Sequence, residues 1–174
     1  DYIYYATGDC TGHGVPGGFM TMLGLSFLEE IIDTRKSIDP AEILNLLRDK
    51  IINTLKQGAS TEENKDGMDI VLCGINTKTN ELQYAAANNS FYVVRNNEIM
   101  DMKADKQPCG FFHDPKPFTT QKFQLEKGDI VYTFTDGYAD QFGGPKGKKF
   151  RYKQFEEIIL TNHTKPFQQQ KDTL

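Results

Sequence analysis

The stretch Thr7–Gly24, TGDCTGHGVPGGFMTMLG, decides how the rest of this 174-residue chain is interpreted. Strand-forming residues at 3–6 lead into the carboxylate of Asp9, and five glycines then fall within residues 8–18. Pro16 is predicted to be the first helical residue, because the N–H that proline lacks would have no partner there. This order of strand, carboxylate, glycine-rich turn and helix indicates a site for a metal ion or for a phosphate-bearing cofactor.

Composition indicates one ordinary globular domain over residues 1–174, with 38% hydrophobic and 11% aromatic residues. The net charge is −4, from 20 basic and 24 acidic residues. This balance argues against a general nucleic-acid-binding surface, which would need an excess of clustered Lys and Arg. Three widely spaced cysteines favour a reducing, cytoplasmic location over a disulfide framework or a zinc site. No apolar run is judged long enough to span a bilayer, so we expect no membrane contact by this domain, although a longer parent protein could be membrane-anchored.

Two amphipathic helices are predicted after the glycine-rich turn. The first covers residues 16–35, and the second begins at the capping box Asp39–Glu42 and ends at Gly58. Apolar residues recur at helical spacing along both and are predicted to face the core. They are Phe19, Met20, Leu23, Phe27, Leu28 and Ile31 in the first helix, and Ile43, Leu44, Leu47, Ile51 and Leu55 in the second.

The pattern becomes extended after a polar loop at Ala59–Lys65. Strands are predicted at 69–75, 82–87, 91–95, 98–102, 118–125 and 129–135. The last two should form an antiparallel pair, and a loop with three prolines at 105–117 precedes them. A helix is predicted at 153–162, and the Gln-rich tail carries no clear signal. This order predicts an α+β fold in which antiparallel sheet and helices are segregated.

Two aspartates, Asp9 and Asp136, each end an apolar strand and are followed within three residues by glycine. Asp140 lies one helical turn beyond Asp136, on the same side. Converging carboxylates repel one another unless a cation neutralises them, and oxygen-only ligation suits Mg²⁺ or Mn²⁺. A single such aspartate would more simply cap a turn. Because there are two, we predict that Asp9 and Asp136 lie close together and hold divalent cations.

A dinucleotide site is the alternative for the glycine-rich turn. Residues 12–17 fit G-x-G-x-x-G after a strand, and Asp33 follows about twenty residues later. That site requires a second parallel strand after the first helix, whereas a second helix is predicted here. The lysine of a phosphate-binding P-loop is also missing, so this alternative is disfavoured.

Two motifs resemble those of a known family. GDCTGHGVPG (8–17) and TDGYAD (135–140) are similar to motifs of the PPM-type metal-dependent serine/threonine phosphatases (protein phosphatase 2C-like). They are most similar to the bacterial SpoIIE/RsbU-like branch, whose motifs read roughly GDVSGHGVPAA and YTDGVTEA. LQYAAANNSFYVVR (82–95) corresponds to the family's central hairpin, and the likeness runs from Asp1 to about Leu160. It implies an α-β-β-α sandwich of two antiparallel sheets flanked by helices.

The resemblance implies the site residues position by position. Asp9 corresponds to the acid that bridges two metal ions, and Cys10 to the neighbouring backbone-carbonyl ligand. Asp136 corresponds to the second metal-binding acid, and Asp140 falls where many members bind a third, weaker ion. Asn88 departs from the family, because the SpoIIE/RsbU-like branch usually has His there and the wider family Asp. Catalysis is therefore assigned to Asp9 and Asp136.

Several features keep two interpretations open. His13 is more simply a structural hydrogen-bonding residue than a general acid for the leaving alkoxide. Asp66 and Asp69 either lie near the site or cap the preceding loop, and capping is favoured. The lysines of the loop GGPKGKK (143–149) are either solvated, which is favoured, or receive an acidic or phosphorylated partner. No substrate-binding residue is predicted.

The activity implied by the resemblance is hydrolysis of phosphoserine or phosphothreonine on a protein, by a hydroxide that bridges two Mn²⁺ or Mg²⁺ ions. Kinship also implies signalling such as sigma-factor partner switching, a phosphorylated STAS-type anti-sigma-factor antagonist as substrate, and an upstream sensor domain. The alternative is a catalytically degenerate domain that acts as a regulatory protein-binding module, which Asn88 favours. The family's first strand and its last metal-binding acid are expected beyond residues 1–174, so the domain is predicted to be incomplete at both ends.

Overall fold

The computed structural model describes residues 1–35, 39–58, 65–145 and 147–174. Lys146 and all but the last residue of the predicted loop Ala59–Lys65 lie outside this part of the chain. The described residues form two compact units, Asp1–Asn89 with Lys103–Leu125, and Ser90–Met102 with Glu126–Leu174. In chain order the elements are β1 (Tyr2–Cys10), α1 (Gly14–Arg35), α2 (Pro40–Leu55), β2 (Gly67–Asn76), β3 (Glu81–Ala87), β4 (Phe91–Arg95), β5 (Glu98–Met102), β6 (Cys109–Gly110), β7 (Gln121–Gln124), β8 (Ile130–Tyr132), α3 (Asp136–Asp140), β9 (Phe142–Gly143), β10 (Lys148–Lys149), α4 (Tyr152–Asn162) and α5 (Phe167–Thr173).

The first unit is built on an antiparallel sheet in the order β1-β2-β3-β7, with the short β6 paired to β2. Among the described residues β1 lies at the edge of this sheet, and it pairs with β2 along all nine of its residues. Tyr4 lies opposite Gly74, and a Cβ on Gly74 would meet the Tyr4 ring at 2.6 Å. Both helices of this unit pack on the sheet and share a core with Met68, Ile70 and Leu72 of β2.

The start of α2 follows its prediction. The Asp39 Oδ1 accepts a hydrogen bond from the Ala41 N–H at 2.9 Å, and Pro40 occupies the first helical position. The apolar stripe predicted for this helix is buried at four of its five positions, Ile43, Leu44, Leu47 and Ile51. These side chains form the centre of the first unit's core.

The helix α1 differs from its prediction at two positions. It begins at Gly14, so Pro16 lies inside the first turn instead of at its start. Phe19, predicted to face the core, is 63% exposed. The buried face runs through Met20, Leu28 and Ile31, and successive helical residues are rotated by about 100°, so Phe19 lies to one side of that face.

The segment Gly14–Thr34 of α1 is long and apolar enough, by length and composition, to cross a membrane. The expectation that no apolar run is long enough to do so is therefore wrong. Core helices of soluble proteins and signal sequences meet the same two criteria, so this property assigns no membrane role to the helix.

The second unit contains a three-stranded antiparallel sheet in the order β5-β4-β8, the β9–β10 pair and the helices α3 to α5. Its core is aromatic: the ring of Phe134 lies 4.7 Å from that of Tyr92 and 5.0 Å from that of Phe155. Arg95 at the end of β4 pairs with Asp129, with 2.6 Å between Nη2 and Oδ2, and this hydrogen-bonded pair lowers the Asp129 pKa. The pair fixes the turn before β8.

Strand existence was predicted better than strand pairing. β7 pairs with β3, whereas β8 pairs with β4, so the predicted pairing of residues 118–125 with 129–135 is wrong. β3 and β4 also belong to different sheets and do not form the hairpin that the resemblance implied. A periodic pattern identifies a strand and its buried face but not its partner. The short β6 and α5 lie where a loop and a tail without clear signal were expected.

Candidate functional site

Asp9 lies at the end of the edge strand β1, directly opposite Asp69 of β2. Directly opposed residues of an antiparallel pair have Cβ atoms about 4.5–5.5 Å apart. Asn88, in the turn after β3, donates a hydrogen bond from Nδ2 to the Asp69 Oδ1 at 2.9 Å. The sheet thus brings Asp9, Asp69 and Asn88 together. Asp69 is a strand residue beside Asp9 and not a cap of the preceding loop.

The charges at this sheet end are mutually unfavourable. Burial raises the pKa of Asp69, the hydrogen bond from Asn88 lowers it, and the nearby Asp9 raises it, with a net upward shift. Ionising Asp69 therefore costs more free energy than ionising a solvated carboxyl group, and a cation bound beside it would lower that cost. Carboxylate, amide and carbonyl oxygens are the donors that Mg²⁺ and Mn²⁺ prefer, so this donor set fits such an ion.

The turn after Asp9 is held closely against the start of β2. The Thr11 N–H donates to the Gly67 carbonyl at 2.9 Å, and the Gly67 N–H donates to the Thr11 Oγ1 at 3.2 Å. Gly12 has a φ of +92°, in the region that favours glycine. A Cβ on Gly17 would lie 2.7 Å from the Gly12 carbonyl oxygen. Glycines at 12 and 17 therefore allow the first turn of α1 to pack on this loop.

We expect Gly17→Ala to lower the free energy of unfolding by about 1–3 kcal/mol, because the added methyl group meets backbone that cannot move freely. Gly18→Ala is the matched control, since a Cβ there meets nothing within 4 Å. That variant should be neutral or gain roughly 0.5–1 kcal/mol from the higher helix propensity of alanine. Urea unfolding followed by circular dichroism measures both. Equal free energies for the two variants would contradict this account of the turn.

In the second unit, Asp136 and Asp140 occupy the first and last positions of α3, one helical turn apart as predicted. The Asp136 side chain is exposed. The Asp140 Oδ1 lies 2.7 Å from the Lys149 Nζ of β10, an ion pair that the sequence did not predict. The carboxylate of Asp140 is thus already neutralised by a lysine of its own unit.

Tyr138, between these two acids, anchors α3. Its ring lies 4.7 Å from that of Phe155 in α4 and 5.6 Å from that of Phe150. Its hydroxyl donates to the Leu174 carbonyl at 2.9 Å, and burial raises its pKa. The sequence offered one signal for this role, an aromatic residue in the middle of TDGYAD. The short helix is therefore held by its buried side, which leaves its acids at the surface.

The predicted residues fall into two groups. Asp9, Cys10, Asp69 and Asn88 belong to the first unit, and Cys10 ends β1 opposite Met68. His13 is exposed in the turn between β1 and α1, also in the first unit. Asp136 and Asp140 belong to the second unit, so the predicted approach of Asp136 to Asp9 stays a prediction. Within the described residues, no group of three or more His, Cys, Asp or Glu side chains is placed to hold a metal ion.

The whole sequence, residues 1–174, matches the family Stage II sporulation protein E (SpoIIE). The chain belongs to the SpoIIE family. The SiaA-PP2C domain of Pseudomonas aeruginosa is similar in structure to this SpoIIE-family chain, with a TM-score of 0.84 and 27% sequence identity over 98% of this chain and 69% of that one. No curated protein sequence matches it significantly.

Two further structures show the same fold at lower identity. The PP2C phosphatase domain of Bacillus subtilis SpoIIE, solved with a fragment of its regulatory domain, has a TM-score of 0.71 and 18% identity, and the match covers 99% of this chain and 50% of that one. The RsbU and RsbW domains of a Mycobacterium tuberculosis protein have a TM-score of 0.77 and 18% identity, with 100% and 46% covered. The SpoIIE-family chain thus spans about half the length of these two.

The comparisons confirm the predicted family and fold class. The SpoIIE-family chain has the α+β architecture of PP2C-like domains, with antiparallel sheets and helices. Its recognition as a PPM-type domain of the SpoIIE/RsbU-like branch is likewise confirmed. Family and fold together support a phosphatase role in signalling.

Proposed function

We propose that this SpoIIE-family domain hydrolyses phosphoserine or phosphothreonine on a protein partner, with two divalent ions, Mn²⁺ or Mg²⁺, as cofactors. The observation that carries the proposal is the pairing of Asp9 with Asp69 at the end of β1, where burial and the nearby Asp9 raise the pKa of Asp69 and a bound cation would offset both effects. Membership of the SpoIIE family and the PP2C-like fold support the phosphatase reaction.

Asp9, the Cys10 carbonyl and Asp136 are the proposed ligands, with Asp69 as a further acid opposite Asp9. Bound divalent ions would supply an activated water and would neutralise charge on the phosphoryl oxygens. The chain itself holds the proposed ligands in position. The paired turn at Thr11 and Gly67 fixes the loop that follows Asp9, and the aromatic anchor of α3 fixes the helix that carries Asp136.

The proposed partner is a phosphorylated protein of a bacterial signalling pathway, such as a STAS-type anti-sigma-factor antagonist. The occurrence of RsbU and RsbW domains in one Mycobacterium tuberculosis protein with this fold supports regulatory partnering. We further propose a cytoplasmic location and control by an upstream sensor domain of a longer parent protein.

Hydrolysis of p-nitrophenyl phosphate during a Mn²⁺ titration tests the proposal. We expect turnover that rises with Mn²⁺, falls to background with EDTA and returns when Mn²⁺ is restored. Binding of Mn²⁺ should be visible independently by isothermal titration calorimetry. Turnover that is unchanged by EDTA, or no turnover despite Mn²⁺ binding, would contradict the proposed reaction.

A degenerate, protein-binding domain is the second candidate, and two contacts favour it. The amide of Asn88 already hydrogen-bonds Asp69, and Lys149 already neutralises Asp140. The first contact engages one oxygen of an acid in the proposed metal site, and the second engages Asp140, which the resemblance places where many members bind a third ion. Binding of a phosphorylated partner without any hydrolysis in Mn²⁺ would establish this alternative.

A further inference from the structure

A cavity of about 550 Å³ lies beside the pair of strands β9 and β10 in the second unit. The residues that line it include two phenylalanines, Phe142 and Phe150, and two lysines, Lys148 and Lys149. Phe142 is 75% exposed. A single exposed apolar residue is ordinary, so the ring matters here only in combination with the cavity that Phe142 lines and the charge of that cavity.

The described charged residues that line this cavity are all positive. The described residues that line it include two lysines and no carboxylate. Lys149 is paired with Asp140, whereas Lys148 has no ion-pair partner within the described part of the chain. A cationic and aromatic wall favours an anionic group next to an apolar side chain, because opposite charge steers the partner and ring burial adds affinity.

The cavity adjoins α3, the helix that carries the proposed ligand Asp136 and also Asp140. The Phe150 N–H donates to the Gln141 carbonyl at 2.9 Å, and Gln141 directly follows α3. Lys149 lines the cavity and contacts Asp140 at the same time. A peptide segment in the cavity would therefore run next to the end of α3.

We propose that this cavity binds an acidic segment of the phosphoprotein substrate that carries an apolar side chain beside its Asp or Glu residues. Lys148 binds the carboxylate of that segment, and Phe142 covers its apolar side chain. Both are specificity-determining residues, and neither takes part in phosphate hydrolysis. The inference rests on the proposed function, since it assigns the substrate class of the same domain.

Two phosphoserine peptides that differ only in the flanking segment, Glu-Leu-Glu or Lys-Leu-Lys, test this assignment. The wild-type protein should prefer the acidic peptide in kcat/KM, and Lys148→Glu should lower that preference on the order of tenfold or reverse it. Phe142→Ser should weaken the use of both peptides, because both carry the leucine. Turnover of p-nitrophenyl phosphate should stay unchanged in both variants.

Lys127→Glu is the matched control, since it makes the same charge change at an exposed turn residue outside the cavity. Fluorescence anisotropy with the unphosphorylated acidic peptide tests the cavity separately from hydrolysis. Failure of p-nitrophenyl phosphate hydrolysis would therefore overturn the proposed function. The anisotropy measurement would still decide whether the cavity binds the acidic peptide. An equal effect of Lys127→Glu, or an unchanged peptide preference in Lys148→Glu, would overturn the inference. Binding of anionic lipid vesicles that depends on Lys148, without any peptide preference, would overturn it as well.

Discussion

Asp9→Asn is expected to reduce Mn²⁺-dependent hydrolysis of p-nitrophenyl phosphate by roughly 100- to 1,000-fold, because metal ions supply several kcal/mol of transition-state stabilisation. The asparagine side chain keeps the size of aspartate and loses its charge, so the loss reports on the carboxylate. Asp136→Asn should have a similar effect if the two acids share the ions. Steady-state kinetics over a range of Mn²⁺ concentrations separates weaker metal binding from a slower reaction.

The stability of Asp9→Asn provides a second readout. Without Mn²⁺ this variant should be at least as stable as wild type, because one of two opposed carboxylates has lost its charge. The stabilisation that Mn²⁺ confers on the wild-type protein should be reduced or lost. Asp114→Asn, at an exposed loop residue of the first unit, is the matched control and should behave as wild type. Full activity in Asp9→Asn would exclude Asp9 as a metal ligand.

Leu44→Ala is expected to lower the free energy of unfolding by about 2–5 kcal/mol, because it removes a fully buried side chain and leaves a cavity. Leu44 is 0% exposed and lies in the core that α2 shares with the sheet. Leu25→Ala makes the same chemical change on α1, where Leu25 is 58% exposed, and should cost about 0.5 kcal/mol or less. Urea unfolding of both variants measures the difference, and comparable losses would show that the assigned core is wrong.

Local signals predicted most of the elements of this fold. The Asp39–Pro40 start of α2 and its apolar stripe appear in the structure because they depend on hydrogen bonds and spacing within one helix. The strands Phe91–Arg95 and Glu98–Met102 have the predicted bounds for the same reason. Pairing over longer separations was not predictable, as the separate partners of β7 and β8 show, because many registers are compatible with one alternating pattern.

The candidate site shows the same division between local and distant information. The motifs around Asp9 and Asp136 identified the acids, because each aspartate ends a predicted strand and is followed within three residues by glycine. The position of Asp69 opposite Asp9 depends on the β1–β2 register, and 59 intervening residues separate the two in the sequence. The pairing of Lys149 with Asp140 likewise required the return of the chain through β9 and β10. Sequence alone therefore named candidate residues, Asp69 and Asn88 among them, but not which of them lie side by side.

Tyr4 and Gly74 lie five residues away from the acids along the strands, and they belong to the same register that puts Asp9 opposite Asp69. The ring occupies the space above Gly74, one of the two glycines of β2 (the other is Gly67), so the observed alignment of the two strands accommodates it where a neighbouring position with a side chain would not. Sliding the strands by one step would press the ring against a neighbour with a side chain and turn Asp9 to the opposite face of the sheet. A bulky residue at position 74 is therefore expected to lower activity as the loss of the Asp9 carboxylate would, although Gly74 is not itself proposed as a ligand.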